Sequence, residues 1–449
     1  MSSLEQFFGI RRQGSTVSRE IIGGITTFAT MSYIIFVQPT ILRTAGMDFG
    51  AVMVATCLSS GVTTIAMALI ARYPIALAPG MGENFYFAFM VCGGAAMGGL
   101  GYSWQVALGG VFIAGLLFFI LSFFGVREKV MEVFPQSLKS GIAAGIGLLI
   151  ALVGLWYAGL VVPAPGALIR LGRLSEPPVV LALFGFAVTA ILLARKISGA
   201  ILCGIIVTFI VGIASGIVKY HGIAGKPASM TATFLALDLK QVFSSVNMIP
   251  VVFVFLFLDL FDTVGTLIGV GEQGGFMVNG KLPRARQAFL CDAFGTMLGA
   301  SMGTSTVTSY VESAAGVSAG ARTGFASIVT GLLFLVAPFF GKLAQSVGDG
   351  IPLSTGTMAY PVVAPALIIV GSMMMRSAVD VNWKDPTESV PGFLTIVMMG
   401  FTLSITEGIG FGLISYCLLK LAAGKAKEVH WSMYLIAALL LGRYIFLVK

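Results

Sequence analysis

Apolar runs of roughly 17–25 residues, about long enough to cross a bilayer, follow one another along almost the whole chain. They fall near 20–42, 51–71, 75–97, 104–125, 138–160, 178–194, 199–218, 249–271, 287–301, 303–317, 323–346, 358–375, 391–407 and 409–424, which makes fourteen. In lipid every backbone polar group must be satisfied inside the protein, so such a chain folds as a bundle of helices. Composition agrees, since 57% of the 449 residues are hydrophobic and 10% are charged, against roughly 25% charged in a soluble domain. The expected fold is an all-α polytopic membrane protein of about fourteen spans. The longest polar intervals, 160–177 and 219–248, are too short to build a soluble core of their own. A last apolar run from Trp431 is interrupted by Arg443 and either spans or lies against the membrane.

Orientation follows from Lys and Arg. With a cytoplasmic N-terminus, the inner segments hold Arg11, Arg12, Arg19, Arg72, Arg127, Lys129, Lys281, Arg322 and many others. The outer ones hold only Arg43, Arg170, Arg173, Lys219, Lys226, Lys240 and Lys342, an imbalance in the direction the positive-inside rule requires. The net charge of +8 is thus mainly topological, and the basic residues form no dense patch for nucleic acid. Five scattered cysteines without a C-x-x-C pair read as packing residues. The two histidines, His221 and His430, lie in connecting segments, so neither a metal site nor a cofactor is expected.

Two spans are abnormal. The third, YPIALAPGMGENFYFAF from Tyr73, places Pro79, Gly80 and Gly82 beside Glu83 and Asn84 at mid-membrane. The tenth, within GASMGTSTVTSYVESAAGVSAG from Gly299, has a Ser/Thr-rich entrance followed by Glu312. Interrupted segments at matching positions in two halves point to a transporter site, where half-helices meet. Each is third in a set of seven, and Glu83 and Glu312 are 229 residues apart (312 − 83), close to half of 449. An odd number of spans per half predicts two inverted seven-span repeats. The expected organisation is a cytoplasmic segment 1–19, a first repeat 20–218, an outer connection 219–248, a second repeat 249–424 and a C-terminal segment 425–449.

Span eight, VFLFLDLFDTVGTLIGVG from Val254, carries Asp259 and Asp262 near its middle. Each would cost roughly 2.5–3.5 kcal/mol at a helix centre, so a partner, a cavity or a function must offset it. Asp259, Asp262 and Thr266 at i, i+3 and i+7 are expected to share one face, turned into the bundle. Asp292 on span nine either joins this network or packs between helices. Glu407 is expected in the turn between the last two spans.

The strings FDTVGT, PGMGENFYF, TSYVESAAG and GSTVSREIIGGITTFATMSYIIFVQP, in their chain order along nearly the whole sequence, resemble the AzgA-like adenine/guanine/hypoxanthine permeases of the nucleobase/ascorbate transporter superfamily. The resemblance implies a uracil-permease-like fold of fourteen spans, with a core domain (20–125 and 249–346), a gate domain (138–218 and 358–424), and broken spans three and ten. It implies proton-coupled uptake of a purine base across the cytoplasmic membrane, with sodium less favoured, and it suggests a homodimer. Where the uracil-permease branch has E-H-V-G-H, this chain has Asp262-Thr263-Val264-Gly265-Thr266. Asp262 takes the carboxylate position, and Thr266 replaces a histidine linked there to proton coupling. On span ten, Tyr310-Val311-Glu312-Ser313 stands for Y-G-E-N, keeping the aromatic and the carboxylate but not the amide. Glu83, Asn84 and Phe85 match on span three, and Thr27 on span one approaches the site. Asp262 and Glu312 become the expected proton carriers.

A purine offers edge donors and acceptors around a flat face, which suits carboxylates or amides at the edge and an aromatic against the ring. A carboxylate in low dielectric gains affinity for protons. Two rivals are weighed. DTVGT superficially resembles the D-T-G of aspartic proteases, but Val264 interrupts it and no G-x-G-D partner is present. A sulfate-permease-like anion transporter would want helix N-termini with a basic residue at the site, whereas spans three, eight and ten hold no Lys or Arg near their carboxylates.

Overall fold

The computed structural model describes residues 3–94, 99–124, 135–164, 167–197, 199–278 and 282–446. Arg127, Lys129 and Lys281, used in the orientation argument, lie outside them, as do residues 95–97 of span three. The chain is mostly helical, and seven helices among the described residues are long and apolar enough to cross a membrane by length and composition. Two compact units emerge, one made of Met1–Phe124 with Tyr157–Ala366, the other of Gly125–Trp156 with Leu367–Lys449.

In the first unit, helix α1 (Val17–Met31) starts where Thr16 accepts the Arg19 N–H at 3.3 Å. It gives way at Ser32 and Tyr33 to α2 (Ile34–Arg43). Helix α3 (Phe49–Ala66) is capped by Asp48, which accepts the Ala51 N–H at 2.7 Å, and it loosens into a π-helical turn over Met67–Ala71. Span three is a short strand, β1 (Leu77–Pro79), followed by α4 (Met81–Phe85), which runs on as π-helix over Tyr86–Val91. Span eight is one long helix, α5 (Met248–Gln273), and α6 (Ala285–Met302) precedes span ten. Span ten repeats the pattern of span three, with strand β2 (Val307–Ser309) ahead of α7 (Ser313–Ser318); α8 (Gly324–Val336) follows. Small residues let these helices touch: a Cβ on Gly316 of α7 would sit 2.0 Å from Thr27 Oγ1 of α1, and one on Gly24 would sit 2.4 Å from the Ala326 carbonyl oxygen of α8.

The strands β1 and β2 pair antiparallel, Leu77 opposite Ser309 and Pro79 opposite Val307. Extended backbone at membrane depth exposes groups that a helix would satisfy internally, so this crossing needs partners from its surroundings. Side-chain hydroxyls supply them. Thr64 accepts the Leu77 N–H at 2.9 Å, Ser313 accepts the Ala76 N–H at 3.0 Å, and Thr296 donates to the Val307 carbonyl at 3.1 Å. Tyr310 Oη donates to the Pro79 carbonyl at 2.5 Å, and Ser327 donates to the carbonyls of Tyr73 and Ile75. The Ser and Thr of span ten itself mostly bond side chains instead: Thr304 and Ser305 accept from Gln38, Thr308 pairs with Thr263, and the Ser309 hydroxyl donates to Asp292.

In the second unit, α9 (Pro386–Thr402) begins where Asp385 accepts the Thr387 N–H, and it pairs with α10 (Ile405–Ala422). The turn between them is Leu403, at φ 51°, and Ser404, whose hydroxyl accepts the Glu407 N–H at 3.3 Å. Glu407 therefore stands in the first turn of α10 and not in the connecting turn expected from sequence, because the Ser404 cap starts the helix earlier than the hydropathy does. Lys420, buried near the end of α10, bridges Glu388 and Glu428 at 2.8 Å each. The run from Trp431 is helical through Phe446, continuing past Arg443.

Candidate functional site

All the residues expected at the substrate site lie in the first unit. Asp259 and Thr266 on α5 are buried, 1% and 5% exposed, whereas Asp262 is exposed. The three do not share one environment, because a shift of three residues turns the helix far enough to carry Asp262 out of the packed face. Among the described residues Asp262 makes no hydrogen bond or ion pair.

Helix α5 packs against α7 and β2, which brings the start of α7 to the same region. Glu312 is half-buried and accepts a hydrogen bond from Tyr33 Oη at 2.7 Å. Val311 beside it is 55% exposed, an unusual position for a large apolar side chain at the break of a span. Asp262 stands in the electrostatic field of Glu83, Asp292 and Glu312, and the Tyr33 and Tyr310 hydroxyls stand in that of Glu312 and Asp262. Tyr310 is buried, and its hydroxyl is committed to Pro79, so it ties the two broken spans together.

Glu83 and Asn84, expected at the site, are buried in the opening turn of α4. The Glu83 carboxylate folds back over Gly80, whose missing side chain makes room: a Cβ there would meet a Glu83 oxygen. Asn84 accepts from Ser305, which with Thr304 accepts from Gln38 Nε2 at 3.0 Å. Phe85 is buried and stacked on Phe89, with centroids 5.7 Å apart and planes at 10°. Thr27 is consumed in the contact of α1 with α7, and Thr266 is turned inward. The accessible polar groups are therefore Asp262 and Glu312, with the others forming the buried frame behind them.

Three residues matter more than sequence reading assigned. Asp292, fully buried, accepts from the Ser309 N–H and hydroxyl at 2.8 Å each and from Thr263 Oγ1 at 2.7 Å, clamping β2 to α5 and α6. Tyr33 occupies the break between α1 and α2, and Gln38 is an amide at 0% exposure ahead of Pro39. Gln38 carries a readable signal, a polar side chain in the middle of an otherwise apolar span. Tyr33 does not, since a tyrosine at a helix break is unremarkable until Glu312, 279 residues away, is placed against it.

Comparison with known proteins places the arrangement. The Permease family model for xanthine and uracil permeases matches residues 18–411. The chain is 46% identical over 449 residues to a putative permease of Methanocaldococcus jannaschii, covering 100% of this chain and 99% of that one. It is 42% identical over 445 residues to the adenine permease AdeP of Escherichia coli, covering 99% and 96%. It is 44% identical over 456 residues to the guanine/hypoxanthine permease PbuG of Bacillus subtilis, covering 99% and 100%. Among solved structures, the transmembrane domain of the cyanobacterial bicarbonate transporter BicA superposes with a TM-score of 0.60 at 16% identity, over 88% of this chain and 97% of that one. The murine Solute Carrier 26 anion transporter Slc26a9 in its inward-facing state gives 0.61 at 10% identity, over 91% and 69%. At such identities the two structures speak to the fold alone. With a family match over most of its length and relatives named as permeases from end to end, the chain belongs to the Permease family and is a multi-pass membrane transporter, not an enzyme.

Proposed function

We propose that this permease takes up purine nucleobases, adenine, guanine and/or hypoxanthine, across the cytoplasmic membrane in symport with protons. AdeP and PbuG, named for adenine and for guanine/hypoxanthine, support the substrate class. The observation that carries the mechanism is Asp262, an exposed carboxylate with no hydrogen bond or ion pair among the described residues, on a helix apolar enough to span the bilayer and in the electrostatic field of Glu83, Asp292 and Glu312. Such a group is costly to keep unless it binds something. A base N–H edge and a proton are the ligands it suits. Asp262 accepts the base edge or a proton from outside; Glu312, steadied by Tyr33, offers the second carboxylate; release of both inside resets the site.

The exchange of sides is read as alternating access in two inverted seven-span repeats, a core of 20–125 and 249–346 moving against a gate of 138–218 and 358–424, with the N-terminus in the cytoplasm. An anionic substrate fits poorly, because the carboxylates would repel it. Uptake of labelled adenine, guanine, hypoxanthine, xanthine and uracil in cells lacking their own permeases, with and without a proton uncoupler, tests the reading. Purine uptake that collapses with the uncoupler, and in Asp262→Asn or Glu312→Gln, is expected. No uptake of any base by protein confirmed in the membrane refutes it.

A further inference from the structure

Glycines inside transmembrane helices usually have a visible reason, and in the first unit most do. A Cβ on Gly23 would come within 2.6 Å of Ala321, one on Gly61 within 2.6 Å of Leu335, and those on Gly24 and Gly316 closer still. These positions are small because a neighbouring helix touches them. Gly265 on α5 is different. Among the described residues an added Cβ would meet nothing within 4 Å, the residue is exposed, and its φ is not in the left-handed region. Neither packing nor backbone conformation calls for glycine here, although glycine disfavours the helix relative to alanine.

Its position supplies the reason. Gly265 lies one turn on from Asp262, about 4.5 Å along the axis, and both are exposed while Thr263, Val264 and Thr266 between and beside them are buried. Exposed Val311 and half-buried Glu312 stand on α7 and its approach, which pack against α5. A planar ring whose N–H edge is held by Asp262 and which runs toward the next turn would lie over residue 265. A bare backbone lets the ring lie flat on the helix, where a methyl group would lift it away from the carboxylate.

We propose that Gly265 is a size-determining residue of the transport site, the floor on which the base ring rests; this builds on the purine reading above. Gly269 is the internal control. It too is exposed, with nothing within 4 Å of an added Cβ among the described residues, but it lies about 10 Å along the axis from Asp262, beyond the reach of a base anchored there.

The test is purine uptake kinetics in cells with Gly265→Ala, Gly265→Val and Gly269→Ala, together with thermal stability of each purified protein with and without the purine. For Gly265→Ala the KM is expected to rise about tenfold or more, the effect of one misplaced methyl group in a fitted pocket. Its maximal rate and ligand-free stability should stay at wild-type values. Gly265→Val should lose uptake and purine-induced stabilisation, and Gly269→Ala should keep the wild-type KM. An unchanged KM in Gly265→Ala overturns the proposal. Equal impairment of Gly265→Ala and Gly269→Ala also overturns it, because the bare face would then serve helix movement. Loss of folded Gly265→Ala protein overturns it as well, by making the residue a packing glycine. Absence of purine uptake and purine-induced stabilisation in the wild type is a separate failure, of the purine reading itself.

Discussion

Replacing Asp292 with alanine should loosen the strand crossing without touching any apolar contact between helices. The carboxyl group accepts three hydrogen bonds between 2.7 and 2.8 Å, from the Ser309 N–H, the Ser309 hydroxyl and Thr263 Oγ1. Thr263 keeps the Asp259 carbonyl at 2.8 Å as an alternative, and a serine hydroxyl can rotate. The Ser309 N–H cannot, and it would be left buried without a partner at a cost of about 1–3 kcal/mol. Adding the lost bonds of the two hydroxyls, and subtracting the relief of no longer burying a carboxylate, gives a net loss of about 2–5 kcal/mol. At roughly 1–2 °C per kcal/mol for a unit of this size, the Tm of the detergent-solubilised protein should fall by about 2–10 °C in a fluorescence size-exclusion ramp. Asp292→Asn keeps Oδ1 for Ser309 and can donate its new N–H to Thr263, so its Tm should fall by no more than a degree or two. An unchanged Tm in Asp292→Ala, or an equal loss in both variants, would refute the clamp, the second outcome because charge and not hydrogen bonding would then be what matters.

Three further outcomes follow from the same geometry. Tyr33→Phe removes a 2.7 Å donor to Glu312, and a bond to a charged group of about 1.5–3 kcal/mol should lower purine kcat/KM by about tenfold or more while leaving membrane abundance unchanged. Gly316→Ala, whose Cβ would fall 2.0 Å from Thr27 Oγ1, should destabilise the protein by about 1–3 kcal/mol through overpacking, read as a lower Tm; Thr27→Ala in the same chain should restore part of it. Asp385, capping α9, is held well below the usual carboxylate range by the Lys425 ammonium at 2.8 Å and by the N–H and hydroxyl of Thr387. A depressed folded pKa contributes stability above the unfolded value, about 3.9, and loses it as pH falls through the folded one. Asp385→Asn should therefore have a lower Tm than wild type from pH 7 to 5, and the difference should shrink below about pH 4.

Much of this was readable from sequence because bilayers impose coarse, one-dimensional rules. Apolar run length announced α3, α5 and α8, and Pro79, Gly80 and the Ser/Thr entrance to span ten announced the two breaks. What periodicity could not resolve was which side of the packed face each polar residue takes. Asp259 and Asp262 are three residues apart, yet one is walled in, with Thr296 of α6 donating to it at 2.8 Å, and the other is open. Phe85 matches the family pattern from sequence alone, but its contact with Phe89, one turn on, emerges only in the fold. Asp292 read equally well as a packing residue, because its partners Ser309 and Thr263 lie on separate elements. Long-range pairs of this kind are decided by the fold and leave no local trace.

The strand crossing also bears on how the protein is made. Leu77 and Ser309 are 232 residues apart (309 − 77), so at about 5–20 residues per second the first strand waits about 10–45 s for its partner to be synthesised. During that interval Thr64 can already hold Leu77, but the amides of Ala76 and Gly80 and the carbonyl of Pro79 depend on Ser313, Thr306 and Tyr310 of the second half. The nascent first half therefore sits in the membrane with unpaired backbone at its centre. Synthesis of span ten is the event that completes it.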